Sequence, residues 1–190
     1  MLPMNSLPLK NTFRAVWAHV APPSEPSGSA AQLYVNLRGA NATGGPHRFL
    51  RNFVGELEPY NIRITNWTVK GSQAALVFSA SWGASFARLC RRHGVRSVLR
   101  VDGFFVPGEC DYALNSTHRY VNARLREDIR AFDHVIFQSA YSKQKADEHL
   151  CRRPAGYSVI HNGVDTQHFR PAERSAAAEP VVVVLGQHRS

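Results

Sequence analysis

Ala74-Ala75-Leu76-Val77-Phe78 is a short, unbroken apolar run. A strand with one wet face alternates apolar and polar residues. This run offers water neither face, the pattern of a strand buried on both sides of a parallel sheet. The units around it repeat in both directions. Upstream, 32–37 reads as a strand, a loop with three glycines covers 38–45, and Pro46 suits the first turn of a helix. On that helix Phe49, Leu50, Phe53, Val54 and Leu57 recur at helical spacing, and 61–65 then alternates as a half-buried strand. Downstream comes a helix at 84–93 with Phe86, Leu89 and Cys90 inward and Gly94 as its stop, followed by a strand at 97–101. A loop at 103–110 leads to a helix near 119–132, whose apolar face is Val121, Leu125, Ile129 and Phe132. A strand at 134–137, a helix at 142–150 and a strand at 157–160 complete the series. Strands and helices alternating through short connections predict an α/β chain. The expected form is a Rossmann-like doubly wound, mostly parallel sheet with helices on both faces, over about 31–170.

The bulk properties bound the rest. A chain of 190 residues, 44% hydrophobic, can bury one core of ordinary size. No purely apolar run exceeds the five residues Val181-Val182-Val183-Val184-Leu185, far short of a membrane span. Residues 1–30 carry Pro3, Pro8, Pro22, Pro23 and Pro26 among Ser and Ala, which predicts a mobile tail. They contain no continuous apolar segment of the kind that opens a secretory leader, so the expected location is cytoplasmic, peripheral at the inner membrane face at most. Cys90, Cys110 and Cys151 have no metal-ligand spacing, and their odd number suits a reducing compartment. Asn41, Asn66 and Asn115 head N-x-S/T triplets, read as coincidence for want of such a leader. Lys plus Arg is 23 against 14 acids, a net charge of +9, with Arg88, Arg91, Arg92, Arg96 and Arg100 close together. Such a cluster is either a solvated basic face or an attractor of nucleotide diphosphates or anionic lipid. No nucleic-acid motif accompanies it, so nucleic acid is not an expected partner.

In a doubly wound sheet, ligands bind outside the carboxyl ends of the strands. The first such loop holds Gly39, Gly44 and Gly45 and runs into Pro46-His47-Arg48. Glycine lets backbone approach a ligand, and the helix that follows offers free N–H groups to an anion. G-x-G-x-x-G is absent, which disfavours a nicotinamide or flavin enzyme. Gly39-x4-Gly44 lacks the Lys-Ser/Thr of a P-loop, because Gly45-Pro46 stands there instead. The strand ending Arg100-Val101-Asp102-Gly103 presents a carboxylate to the cleft. Asp102 can accept hydrogen bonds from sugar hydroxyls or take a proton, or it can cap local N–H groups. Arg100 either pairs with it or faces a phosphate. Ser139 and Ser142 are helix N-cap candidates. The scattered histidines have no metal spacing, and no metal is expected.

These parts in this order resemble the amino-terminal half of family 4 retaining glycosyltransferases of the GT-B fold. The resemblance covers about 140 residues. It rests on Gly44-Gly45, on Arg100-Val101-Asp102-Gly103, and on the helix with Asn115 and Arg119. It also rests on Asp133-His134-Val135-Ile136-Phe137-Gln138-Ser139 with Ser142-Lys143, and above all on Val159-Ile160-His161-Asn162-Gly163-Val164-Asp165 with Phe169 and Pro171. It implies two Rossmann-like domains facing a cleft: an amino-terminal one for the acceptor, and a carboxyl-terminal one for a nucleotide-sugar, with a glutamate pair spaced E-x7-E. Transfer then retains anomeric configuration without metal. By the same resemblance Gly44 and Gly45 approach the donor diphosphate or the reacting sugar. Asp102 stands where many relatives place a histidine near the transferred sugar. Arg48, Arg100, Asn115, Arg119, Ser139 and Lys143 fall on the acceptor or phosphate side, and Asn162, Gly163 and Asp165 form the approach to the hinge.

No two glutamates in the chain are spaced E-x7-E. The expected organisation is therefore a tail at 1–30, an acceptor-side domain at 31–170, a linker at 171–180 and the first strand of a missing donor domain at 181–190. The chain is expected to be a fragment, a truncated product or half of a split enzyme, inactive alone and binding no cofactor by itself. Its expected partners are the missing donor domain, a sugar or glycolipid acceptor and an anionic membrane surface. The alternative is a non-enzymatic Rossmann-like module that docks on anionic membrane or a partner through its basic face.

Overall fold

The computed structural model describes residues 31–36, 45–78, 84–108 and 115–163. The expected tail, Gly44, Asp165, the linker at 171–180 and the donor-domain strand at 181–190 lie outside them. Along the chain come β1 (Ala31–Val35), α1 (Gly45–Leu57), a 3₁₀ turn (Glu58–Tyr60), β2 (Ile62–Thr65), β3 (Ala74–Phe78) and α2 (Ala84–Arg92). Then follow β4 (Arg96–Val101), α3 (Ser116–Ala131), β5 (His134–Phe137), α4 (Ala140–His149) and β6 (Tyr157–Val159). The strands form one sheet in the order β2-β1-β3-β4-β5-β6, every pairing parallel. This is the Rossmann-like α/β architecture that the strand and helix pattern predicts.

Strand parity sorts the core. Leu33, Val35, Leu76, Phe78, Val98 and Ile136 point to one face, where Phe53 and Leu57 of α1 close over them. Tyr34, Ala75, Val77, Leu99, Val101, Val135 and Phe137 point to the other, under α2, α3 and α4. Every residue of β3 is buried, as its unbroken apolar run requires. At about 25 cal/mol per Å² of apolar surface, such burial is the main favourable contribution to the fold.

Three details differ from the pattern. Leu89 is 41% exposed and Val54 39% exposed, although helical spacing places both inward. On α2 the arc that meets the sheet is Phe86, Ala87 and Cys90, and Leu89 lies on its flank. The third helix begins at Ser116 rather than near 119, because the Asn115 carboxamide accepts the His118 N–H (2.9 Å) and so caps an earlier turn. The strand–helix alternation also lapses once. β2 reaches β3 through 66–73 with no helix, held by two threonine turns (Trp67 N–H to Thr65, Lys70 N–H to Thr68) and by buried Val69.

Candidate functional site

The winding direction of the sheet reverses between β1 and β3, where doubly wound sheets open a crevice at their carboxyl edge. Asn36, just past β1, bridges that point. Its Oδ1 accepts the Phe78 N–H at 2.9 Å and its Nδ2 donates to the Phe78 carbonyl at 3.4 Å. The side chain thus continues the β1–β3 ladder by one rung beyond the strand.

Next to it lies a closed ring of four side chains. Arg100 is on β4, and parity turns it to the α1 face, where it is 4% exposed. Its guanidinium stands 4.1 Å from the centre of the Phe49 ring and 5.5 Å from that of Phe78. Nη1 pairs with Asp102 Oδ1, and Nη2 donates to Asn162 Oδ1 at 2.7 Å. Asn162 Nδ2 donates to Gln138 Oε1 at 2.6 Å. Gln138 Nε2 donates to Asp102 Oδ1 at 3.0 Å and to the Val101 carbonyl at 3.1 Å. The carboxyl ends of β4, β5 and β6 are therefore tied together through side chains.

Burial pushes the Arg100 guanidinium down to about 10, which leaves it charged at neutral pH. A buried cation is tolerated where a carboxylate and further hydrogen bonds match it, and Asp102, Asn162 and the two aromatic faces do so. Of the two readings open to Arg100, the structure takes the pair with Asp102. A charge-balanced ring offers fixed donors and acceptors rather than net charge. It suits hydroxyl-rich ligands better than a bare diphosphate.

A second set of contacts positions the loop after Asp102. Asn122, buried in mid α3, accepts the Phe105 N–H at 3.1 Å and donates to the Phe105 carbonyl at 2.7 Å. His118 stacks on the Phe105 ring, centroids 3.8 Å apart.

The other predicted site residues are dispersed. Asn115 and Ser139 cap α3 and α4 through the N–H groups of His118 and Ser142. Arg119 is exposed on the first turn of α3. Lys143 pairs with Asp147 at 2.5 Å and sits 4.4 Å from the centre of the Tyr157 ring, on the β6 side of α4. Gly45 begins α1 and Arg48 follows within its first turn. Gly163 follows Asn162 directly. Gly44 and Asp165 lie outside the described residues. So the fold brings Arg100, Asp102 and Asn162 together, and among the described residues no hydrogen bond of Asn115, Ser139 or Lys143 reaches them. Sequence reasoning left Gln138 without a role, although it stands at a strand end. Asn122 also carried a signal, since asparagine in mid-helix is unfavourable unless its side chain is engaged. The aromatic cover from Phe49 and Phe78 had none. Among the described residues no three His, Cys, Asp or Glu side chains gather to hold a metal, and no helix is long and apolar enough to cross a membrane.

The family model described as Glycosyltransferase Family 4 matches residues 18–168. Comparison with curated proteins and with solved structures returned no match. The match spans most of the chain and contains both the switch point and the ring at its carboxyl edge, and on that ground the chain belongs to Glycosyltransferase Family 4.

Proposed function

We propose that this chain is the acceptor-side domain of a retaining glycosyltransferase. It acts opposite a second Rossmann-like domain that holds a nucleotide-sugar. Family membership supports glycosyl transfer in general. The observation that carries the finer reading is the charge balance of the ring. Arg100 is matched by Asp102, so the ring presents oriented hydrogen-bonding groups without surplus positive charge. Such a ring holds a saccharide hydroxyl in place for attack and leaves the diphosphate to other groups. Orientation of this kind is a large part of the barrier reduction in group transfer. On this reading Asp102 orients an acceptor hydroxyl, Arg100 and Gln138 hold Asp102, and Asn162 holds those two in turn, while the chain binds no cofactor of its own.

Calorimetry of the chain with uridine and guanosine diphosphate sugars tests the assignment. Weak or undetectable binding is expected. Tight binding would place the donor site on this chain and overturn the acceptor-side reading.

A further inference from the structure

A second surface lies away from the ring, on the opposite sheet face. The helix missing between β2 and β3 leaves a groove of about 720 Å³ between α2 and the 66–73 connection. Tyr34 and Phe86 floor it, Trp67 borders it, and Arg88, Arg92 and His93 of α2 and its C-terminal turn line its far side. Trp67 is 84% exposed, far beyond what a large aromatic side chain ordinarily shows water. Arg88 and Arg92 are exposed four positions apart on one side of the helix, about 6 Å along the axis. Among the described residues no lining side chain is acidic. The groove begins beside the amino end of α2 and the end of β2, which is the carboxyl edge of the sheet, and runs away from it.

We infer that this groove binds an acidic oligosaccharide chain. The inference rests on the acceptor-side reading and deepens it by naming the acceptor class. An indole face stacks on the C–H face of a sugar ring. Guanidinium groups spaced along a helix meet carboxylates spaced along a glycan, and the planar fork of arginine binds a carboxylate through two parallel bonds. The volume falls within the range of small-molecule sites. Concavity selects a chain that lies in the groove over a flat lipid surface. The chain as a whole carries +9, which raises the local concentration of a polyanion.

Titration calorimetry of the 190-residue chain with hexagalacturonate and with uncharged maltohexaose decides the matter. Hexagalacturonate is expected to bind, and maltohexaose to bind at least about tenfold more weakly. Trp67→Ala, and separately the double variant Arg88→Ala/Arg92→Ala, should each weaken hexagalacturonate about tenfold, the scale of a lost aromatic or arginine anchor. All three side chains are exposed, and unchanged melting temperatures confirm that the variants fold. Equal binding of the two glycans overturns the inference, as does absence of binding. Unchanged affinity in Trp67→Ala reduces the effect to bulk charge and also overturns it. Cosedimentation with phosphatidylglycerol vesicles in preference to hexagalacturonate would assign the surface to membrane instead. The sugar-nucleotide titration above is independent of these outcomes, so a failed groove leaves the acceptor-side reading standing.

Discussion

A guanidinium taken out of water at position 100 must be matched where it lies, and the match is local: Asp102, Asn162 and the rings of Phe49 and Phe78. Removing one partner leaves the charge uncompensated. Asp102→Ala is therefore expected to destabilise the fold by about 3–5 kcal/mol, and Arg100→Leu/Asp102→Ala by less than the two single changes together. Urea denaturation of the three variants checks this. If Asp102→Ala leaves the midpoint in place, the pair does not hold the ring. Cys90 is a second buried group with a readable consequence. Burial pushes its thiol up from an ordinary value of 9.0 to about 12, and the neighbouring Asp133 carboxylate adds to this. In the unfolded chain the thiol ionises near its ordinary value while the folded one stays protonated. The contribution of Cys90 to stability is therefore intact below pH 9 and is lost as pH rises towards about 12. Denaturation midpoints measured across that window should fall more steeply for the parent than for Cys90→Ala. The pairing of Arg100 with Asp102 was one of two readings open in the sequence. Their two-residue spacing on a strand allows contact, but only the fold shows that no other anion reaches Arg100 among the described residues.

At the level of elements, helix ends follow local chemistry and were legible. Gly94 has φ +66° and closes α2 with a paired cap: its own N–H bonds to the Arg91 carbonyl at 3.1 Å and that of Val95 to the Cys90 carbonyl at 2.9 Å. A methyl group at Gly94 would meet nothing within 4 Å, so Gly94→Ala costs only the left-handed backbone, about 1–2 kcal/mol. Thermal unfolding checks it, and a loss well above that range would mean a clash the geometry does not contain. The arginines divide by element in a way composition could not disclose. Arg126 donates to the Leu150 carbonyl at 2.9 Å just past α4. Arg153 donates to the carbonyls of Ile129 and Phe132 at the end of α3, where a cation also meets the negative end of the helix dipole. Part of the basic surplus is thus structural. The run from Arg88 to Arg100 is not one face: Arg88, Arg92 and Arg96 are exposed, while Arg100 is buried at the opposite end of the sheet.

For the whole molecule, the sheet order governs which parts open first. β3 and β4 have neighbours on both sides, whereas β2 and β6 each hydrogen-bond one described strand, β6 over three residues only. Amide exchange should be slowest in β3 and β4 and fastest among the strands in β6, followed by mass spectrometry of peptic peptides. Strong protection of β6 would reveal a further neighbour on its outer edge. The sequence by itself determined the identity and succession of the elements, because an apolar run of five residues, a 3.6-residue period and a glycine stop are local and need no partner. It also carried the motifs whose order points to the family. Only the tertiary structure decided the strand order, the groove that opens where no helix joins β2 to β3, and the joining of Arg100, Asp102, Gln138 and Asn162. Those contacts span 24 to 62 positions along the chain, Arg100–Asp102 apart. Neither propensity nor period encodes which strand lies beside which, since that choice rests on packing summed over the entire core.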